Sequence, residues 1–244
     1  MPGTAAEPPV ALVSGGAGGI GEACVARLRA TGFTTVAGWR NAEPGEGPSI
    51  RFDTTVEAEV DAAVDEVEAT WGPLQVVVAN AGFAHLDLAV RMPEERFRAV
   101  VDTNLTGSFL LARAALRRML PRRRGRIVLV GSVAGTWGVP GVAPYASSKA
   151  GLSGLARTLA REAGSRNVTV NVVAPGLLAN AVGEIEAHRP TSGVDAEWLA
   201  ATPARRAGTA DEVGAAVAFL ASERAGAITG ATLAVDGGFS LGPG

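Results

Sequence analysis

A phenol and an ammonium stand four residues apart in this 244-residue chain. Tyr145 is its only tyrosine, and Lys149 is the only lysine among 22 basic residues, the rest being arginine. On a helix, residues i and i+4 share a face. An ammonium on that face favours the phenolate and is expected to lower the tyrosine pKa from its usual value near 10. Pro144 suits a first helical turn, and a helix N-terminus adds positive potential at Tyr145. A compact ammonium also reaches a second partner more readily than the rigid arginine fork. Ser132, upstream, offers a hydroxyl to the same substrate atom. The chemistry this suggests is proton transfer to or from an oxygen. A helix carrying a scattered tyrosine and lysine is the plain alternative. Their being the only two of their kind argues against it.

These side chains need a scaffold, and the hydropathy pattern supplies one. Short apolar runs read as buried parallel strands: Val10 to Ser14, Phe33 to Gly38, Ile50 to Phe52, Leu74 to Ala79, Arg126 to Val130, Val168 to Val173 and Ala231 to Val235. Helical stretches fall between them. Thr54 or Thr55 is expected to cap the helix that ends before Gly72-Pro73, and Thr209 to Glu212 reads as a capping box. Pro93 to Pro121 is read as two helical pieces and Ala146 to Ser165 as one long helix. Strands alternating with helices predict an α/β, doubly wound parallel sheet of about seven strands in a single domain spanning 1–244. Met1 to Pro9 reads as a flexible tail without the features of a secretion signal.

Between the first strand and first helix lies Ser14-Gly-Gly-Ala-Gly-Gly-Ile-Gly21. Gly16, Gly18 and Gly21 satisfy one phosphate-binding register; Gly15, Gly19 and Gly21 satisfy another. In either, glycines let backbone amides approach a pyrophosphate at a helix N-terminus.

Ser132, Tyr145 and Lys149 resemble the Ser and Tyr-x-x-x-Lys set of the short-chain dehydrogenases/reductases. The resemblance extends over essentially the whole chain and implies a Rossmann-type fold. It selects the register of Gly15, Gly19 and Gly21, with Ser14 in place of the usual threonine and Ile20 beside the phosphates. It implies that Asp53 contacts adenine with Thr54 beside it, and that Asn80-Ala81-Gly82 lies along the cofactor. Asn104 would hold a water in a proton relay, and Pro175, Gly176 and Leu178 would lie over the nicotinamide. Asn180 stands where the family usually has threonine. Where relatives that use NAD(H) carry an acid, this chain has Trp39, followed by Arg40. An arginine binds a 2′-phosphate by charge and paired hydrogen bonds, so the expected cofactor is NADP(H), with NAD(H) as the alternative.

The closest likeness within the family is to 3-oxoacyl-[acyl-carrier-protein] reductases. It rests on Arg122 to Gly131 and Thr202 to Glu212. The implied activity is reduction of a carbonyl, small or carried on a carrier protein, with Tyr145 as acid. Arg123 and Arg166 are expected at the site mouth, facing an acidic carrier, and residues 179–201 as a lid that sets the substrate. A free or polyketide-type ketone is the alternative substrate. A non-catalytic nucleotide-binding regulator is a third reading, and the presence of both Tyr145 and Lys149 speaks against it.

Bulk properties set limits. A net charge of −2 excludes an overall basic balance suited to nucleic acid or anionic membrane. The single cysteine, Cys24, allows no intrachain disulfide and points to a cytoplasmic protein. No apolar run spans a membrane, and no metal is expected. The resemblance implies a homotetramer. Leu110, Leu111, Ala114 and Ala115 on one long helix, and Gly151, Leu152, Leu155 and Ala156 on the other, suggest a second apolar face for assembly.

Overall fold

A computed structural model of the chain describes residues 8–179 and 194–242. Seven parallel strands form one sheet: β1 (Val10–Ser14), β2 (Thr34–Trp39), β3 (Ser49–Arg51), β4 (Leu74–Ala79), β5 (Gly125–Val130), β6 (Val168–Pro175) and β7 (Thr232–Val235). Their order across the sheet is β3-β2-β1-β4-β5-β6-β7. The order reverses between β1 and β4, which opens a crevice beyond their carboxyl ends. This is the doubly wound α/β fold expected from the sequence.

Alternation along each strand divides the core into two layers. Val10 and Leu12 of β1 join the layer under α2 (Glu57–Trp71), α4 (Gly107–Arg122) and α6 (Ala143–Ala163). Ala11 and Val13 join the layer under α1 (Gly19–Ala30) and α8 (Ala210–Ala221), where Cys24 is fully buried. Burial pushes the Cys24 thiol up to about 12, so it stays a protonated, inert packing group.

Local chemistry sets the helix ends. The Thr209–Glu212 capping box is present on α8, each side chain meeting the other residue's backbone N–H. The expected cap of α2 is absent. Val56 is the N-cap and offers no side-chain acceptor. The threonines are taken by a turn instead: Asp53 Oδ1 accepts from the Thr55 N–H at 2.8 Å and its hydroxyl at 2.7 Å, and Thr54 is buried. Gly72, at φ +102°, ends α2.

The stretch expected as two helical pieces is α3 (Glu94–Val101) continuing into α4 through a π-helical turn, Asp102–Thr106. The Gly107 N–H reaches back to the Asp102 carbonyl there. Such a turn bulges one residue out of register and often marks a functional position. α2 and α4 are tied side by side by ion pairs Arg113–Glu57, Arg117–Asp61, Arg118–Asp65 and Arg122–Glu68.

That packing corrects one expectation. Leu110, Leu111, Ala114 and Ala115 are all buried within the chain, as are Leu152 and Ala156. Gly151 and Leu155 of α6 are only half-buried and α4 turns Phe109 to solvent, so part of an apolar face remains on these helices. Large apolar side chains that do reach solvent include Phe97, Phe109, Phe219 and Leu233. Among the described residues, no helix is long and apolar enough to cross a membrane, and no group of acidic, histidine or cysteine side chains could hold a metal ion.

Candidate active site

The crevice at the carboxyl ends of the strands is a cavity of about 1250 Å³. It runs from Trp39 and Arg40, at the end of β2, past the glycine turn after β1 to Ser132, Tyr145 and Lys149.

The glycine turn has a definite register. Gly15 (φ +65°) and Gly19 (φ +54°) are left-handed, a conformation that favours glycine. At Gly21 a Cβ would lie 1.9 Å from the Gly15 carbonyl oxygen, so only hydrogen fits. Gly15, Gly19 and Gly21 are therefore the positions that need glycine. Gly18, the N-cap of α1, has no side-chain partner and an added Cβ would meet nothing, so the amino end of α1 opens directly onto the cavity. A pyrophosphate fits such an open cradle of amides at a helix N-terminus.

Ser14 is placed differently from its expected cofactor contact. It is 2% exposed and does not line the cavity. Its hydroxyl accepts from the N–H groups of Asn80 (3.1 Å) and Ala81 (3.2 Å). Asn80 Nδ2 returns bonds to the carbonyls of Ser14 (3.2 Å) and Gly15 (3.0 Å). The two turns after β1 and β4 are thus laced together, and Asn80, Ala81 and Gly82 face the cavity. Ile20, Thr54, Pro175, Gly176 and Leu178 also line it. Asn180 lies outside the described residues, as does 180–193 of the expected lid.

Pro144 occupies the first turn of α6 and Tyr145 follows it, with Lys149 one turn on. Lys149 Nζ lies 5.7 Å from the centre of the Tyr145 ring. It donates to the Val130 carbonyl at the end of β5, 2.7 Å away, and the residue is 6% exposed. Burial lowers its pKa to about 8. The expected depression of the Tyr145 pKa is not found. Burial pushes the phenol up from its ordinary value, and a hydrogen bond with Ser132 offsets this only in part. Lys149 donates to Val130 and lies over the Tyr145 ring instead of hydrogen-bonding the phenol. Tyr145 is consequently a fully protonated phenol at neutral pH, in contact with Ser132.

Asn104 sits in the π-helical turn, with no exposed surface. Its Oδ1 accepts from the Phe83 N–H at 3.0 Å, and its Nδ2 donates to the Phe83 carbonyl (3.0 Å) and to Ser148 Oγ (3.1 Å). The side-chain amide is therefore spent on positioning. It pins the loop after Gly82 to α6, one residue before Lys149. The Asn104 carbonyl accepts from Ser108 Oγ at 2.7 Å.

Asp53 is likewise engaged elsewhere than expected. Besides Thr55, it accepts from Arg40 Nη1 at 3.1 Å. Burial works to raise its carboxyl, but the Thr55 and Arg40 donors outweigh that and hold it below the ordinary range. Asp53 does not line the cavity; Arg40 does.

Arg123 and Arg166 are not at the mouth. Each precedes a strand, β5 and β6 respectively, at the amino edge of the sheet. Tyr145 stands beyond the carboxyl edge, roughly 16 Å away by the rise of β5. Arg123 Nη2 donates to the Ser165 carbonyl at 2.9 Å, closing that far corner.

His85 and Pro140, which nothing in the sequence singles out, line the substrate end together with Trp198 of the expected 179–201 segment. Trp198 stacks on Phe239 with ring centres 4.8 Å apart, and Trp137 Nε1 donates to the Ser240 carbonyl at 3.2 Å. The C-terminal segment thereby backs this wall. Trp137 ends the short α5 (Ala134–Trp137), Trp198 lies on α7 (Val194–Ala201), and His85 and Pro140 stand outside helices and strands, so no spacing in the chain links them. Among the described lining residues the ionisable side chains are Arg40, His85, Tyr145, Lys149, Arg205 and Arg206, with no carboxylate.

A family model described as enoyl-(acyl carrier protein) reductase matches residues 15–240. The chain is 43% identical over 232 residues to the 3-oxoacyl-[acyl-carrier-protein] reductase MabA of Mycobacterium avium, covering 95% of this chain and 89% of that protein. It is 39% identical over 245 aligned positions to the 3-oxoacyl-[acyl-carrier-protein] reductase FabG of Escherichia coli K12, covering 96% and 98%.

Proposed function

The chain belongs to the short-chain dehydrogenase/reductase family, and on that premise we propose that it reduces a 3-oxoacyl thioester to the 3-hydroxy thioester with NADPH. It is an oxidoreductase of carbonyl and CH–OH groups. The observation that carries the site assignment is that Ser132, Tyr145 and Lys149 line one end of a single cavity whose other end is the glycine cradle.

The cofactor, when bound, supplies the hydride. The open amides at the amino end of α1 would hold its pyrophosphate, and Pro175, Gly176 and Leu178, which line the same cavity, would face the nicotinamide. Ser132 donates to the substrate carbonyl oxygen and fixes its direction. Tyr145, a phenol that carries its proton at neutral pH, donates it to that oxygen as negative charge develops. The resulting phenolate is stabilised by Lys149 and by the amino end of α6. Asn104, whose side-chain amide fixes the loop after Gly82, would place its backbone carbonyl to hold a water that returns the proton.

Arg40 supports NADP(H) over NAD(H), since the residue that ends β2, Trp39, is neutral and Arg40 lines the cavity beside it. The thioester assignment follows the names of MabA and FabG. A free ketone is the second reading, because Arg123 and Arg166 lie away from the mouth. Both readings are separated by NADPH oxidation with acetoacetyl-acyl carrier protein, acetoacetyl-N-acetylcysteamine and ethyl acetoacetate. We expect kcat/KM at least tenfold higher for the thioesters. Turnover of the free ester alone would move the assignment to a ketone reductase.

A homotetramer in the cytoplasm completes this reading. Lone Cys24 is at home in a reducing compartment. Edge strand β7 leaves Leu233 38% exposed, and Phe219 on α8 is 41% exposed. An uncovered edge carrying apolar side chains needs a partner. Light scattering at micromolar concentration is expected to give about four times 24.7 kDa, and Leu233→Lys to lower that mass. A wild-type monomer would end the proposal.

A further inference from the structure

Arg40, read above as the base for the 2′-phosphate, already has a partner. Its Nη1 donates to Asp53 Oδ2 at 3.1 Å. That carboxylate cannot swing aside freely. Its other oxygen is held by the Thr55 N–H at 2.8 Å and hydroxyl at 2.7 Å. The Asp53 N–H donates in turn to Glu59 Oε2 at 2.8 Å. Trp39, Arg40, Asn41 and Thr54 face the cavity, whereas Asp53 is connected to it through Arg40.

We infer that Asp53 is a specificity-determining residue of the cofactor site, whose carboxylate points Arg40 and also weakens that arginine's grip on a 2′-phosphate. The inference rests on the NADP(H) reading. A guanidinium has five donors, so one contact with Asp53 leaves others for the cavity. A phosphate on those donors carries close to two negative charges and stands within a guanidinium's width of a fixed carboxylate. The two effects of Asp53 oppose each other. Ordering of a half-exposed arginine by one hydrogen bond is a small gain, as in most surface pairs. Repulsion of a doubly charged group is larger, even after solvent and salt screen it. The balance favours repulsion, and an unphosphorylated ribose escapes it. Asp53 thus narrows the gap between the two cofactors.

Calorimetric titration with NADP⁺ and NAD⁺ tests this without turnover. Asp53→Asn keeps an acceptor for Thr55, removes the charge and puts an amide nitrogen in place of the oxygen that accepts from Arg40, so Arg40 is released to the phosphate. We expect it to raise the ratio of NADP⁺ to NAD⁺ affinity about tenfold. Asp53→Glu, with the charge restored, should stay within threefold of wild type. Arg40→Ala should lower the ratio. If Arg40→Ala lowers it but Asp53→Asn leaves it unchanged or lowers it too, Asp53 does not oppose the phosphate and the inference is wrong. An equal loss of both affinities in Asp53→Asn would point to an adenine contact and overturn it as well. If Arg40→Ala leaves the ratio untouched, the phosphate reading itself falls, and this inference with it.

Discussion

Tyr145→Phe is expected to reduce kcat about a thousandfold or more while leaving the Kd for NADPH within threefold. The size follows from what is removed. General acid catalysis contributes about a hundred- to ten-thousandfold, and Tyr145 is the only phenol in the chain. Ser132 cannot substitute, since a serine hydroxyl is a far weaker acid than a phenol. The ring itself is kept, and so are its contacts with Lys149 and the cavity wall. Stopped-flow single turnovers would measure the chemical step, and quenching of tryptophan emission would measure binding, since Trp39 lines the cavity. Residual kcat within tenfold of wild type would remove Tyr145 from the role of acid.

Lys149→Met is expected to lower kcat about a hundredfold and to change how stability depends on pH. Lys149 has a pKa of about 8 in the folded chain against 10.5 for an ordinary lysine. Between those values the unfolded chain binds a proton that the folded chain has released. Stability then rises with pH. Wild type should therefore gain Tm relative to Lys149→Met as pH goes from 7 to about 10. Tyr145 contributes no difference, because both proteins retain it. Thermal melts across that range read the effect directly. A constant gap between the two would mean that burial does not depress the lysine, and the enclosed ammonium at Val130 would need another account.

What the sequence discloses depends on whether a residue's partner is near in the chain. Thr209 and Glu212 are three apart, and their capping box could be read directly. The strands announce themselves as apolar runs, because a parallel sheet covered on both faces tolerates little else. Gly15, Gly19 and Gly21 leave two registers open on paper, and Gly21 needs the folded turn to show that a methyl group would strike the Gly15 carbonyl. The failures share one cause. Thr54 and Thr55 look like caps until Asp53 claims Thr55. Ser14 looks like a cofactor contact until its hydroxyl is found under Asn80, 66 residues away. Tyr145 and Lys149 are rightly on one face, yet their pKa values follow burial, which spacing does not report. Arg123 and Arg166 are near Ser132 and Lys149 in sequence but stand at the other end of the strands.

Lys149 has one more consequence, since it bears the only side-chain amine of the chain. Apart from the N-terminus, an amine-selective acylating reagent finds no other amine in the chain. In the native molecule that amine is shielded and bonded to Val130, so attachment waits for α6 to part from the end of β5. Covalent tagging becomes a clock for this local opening. A lysine-directed protease would read the same event as a single scission, dividing the chain into two fragments on either side of its reaction centre.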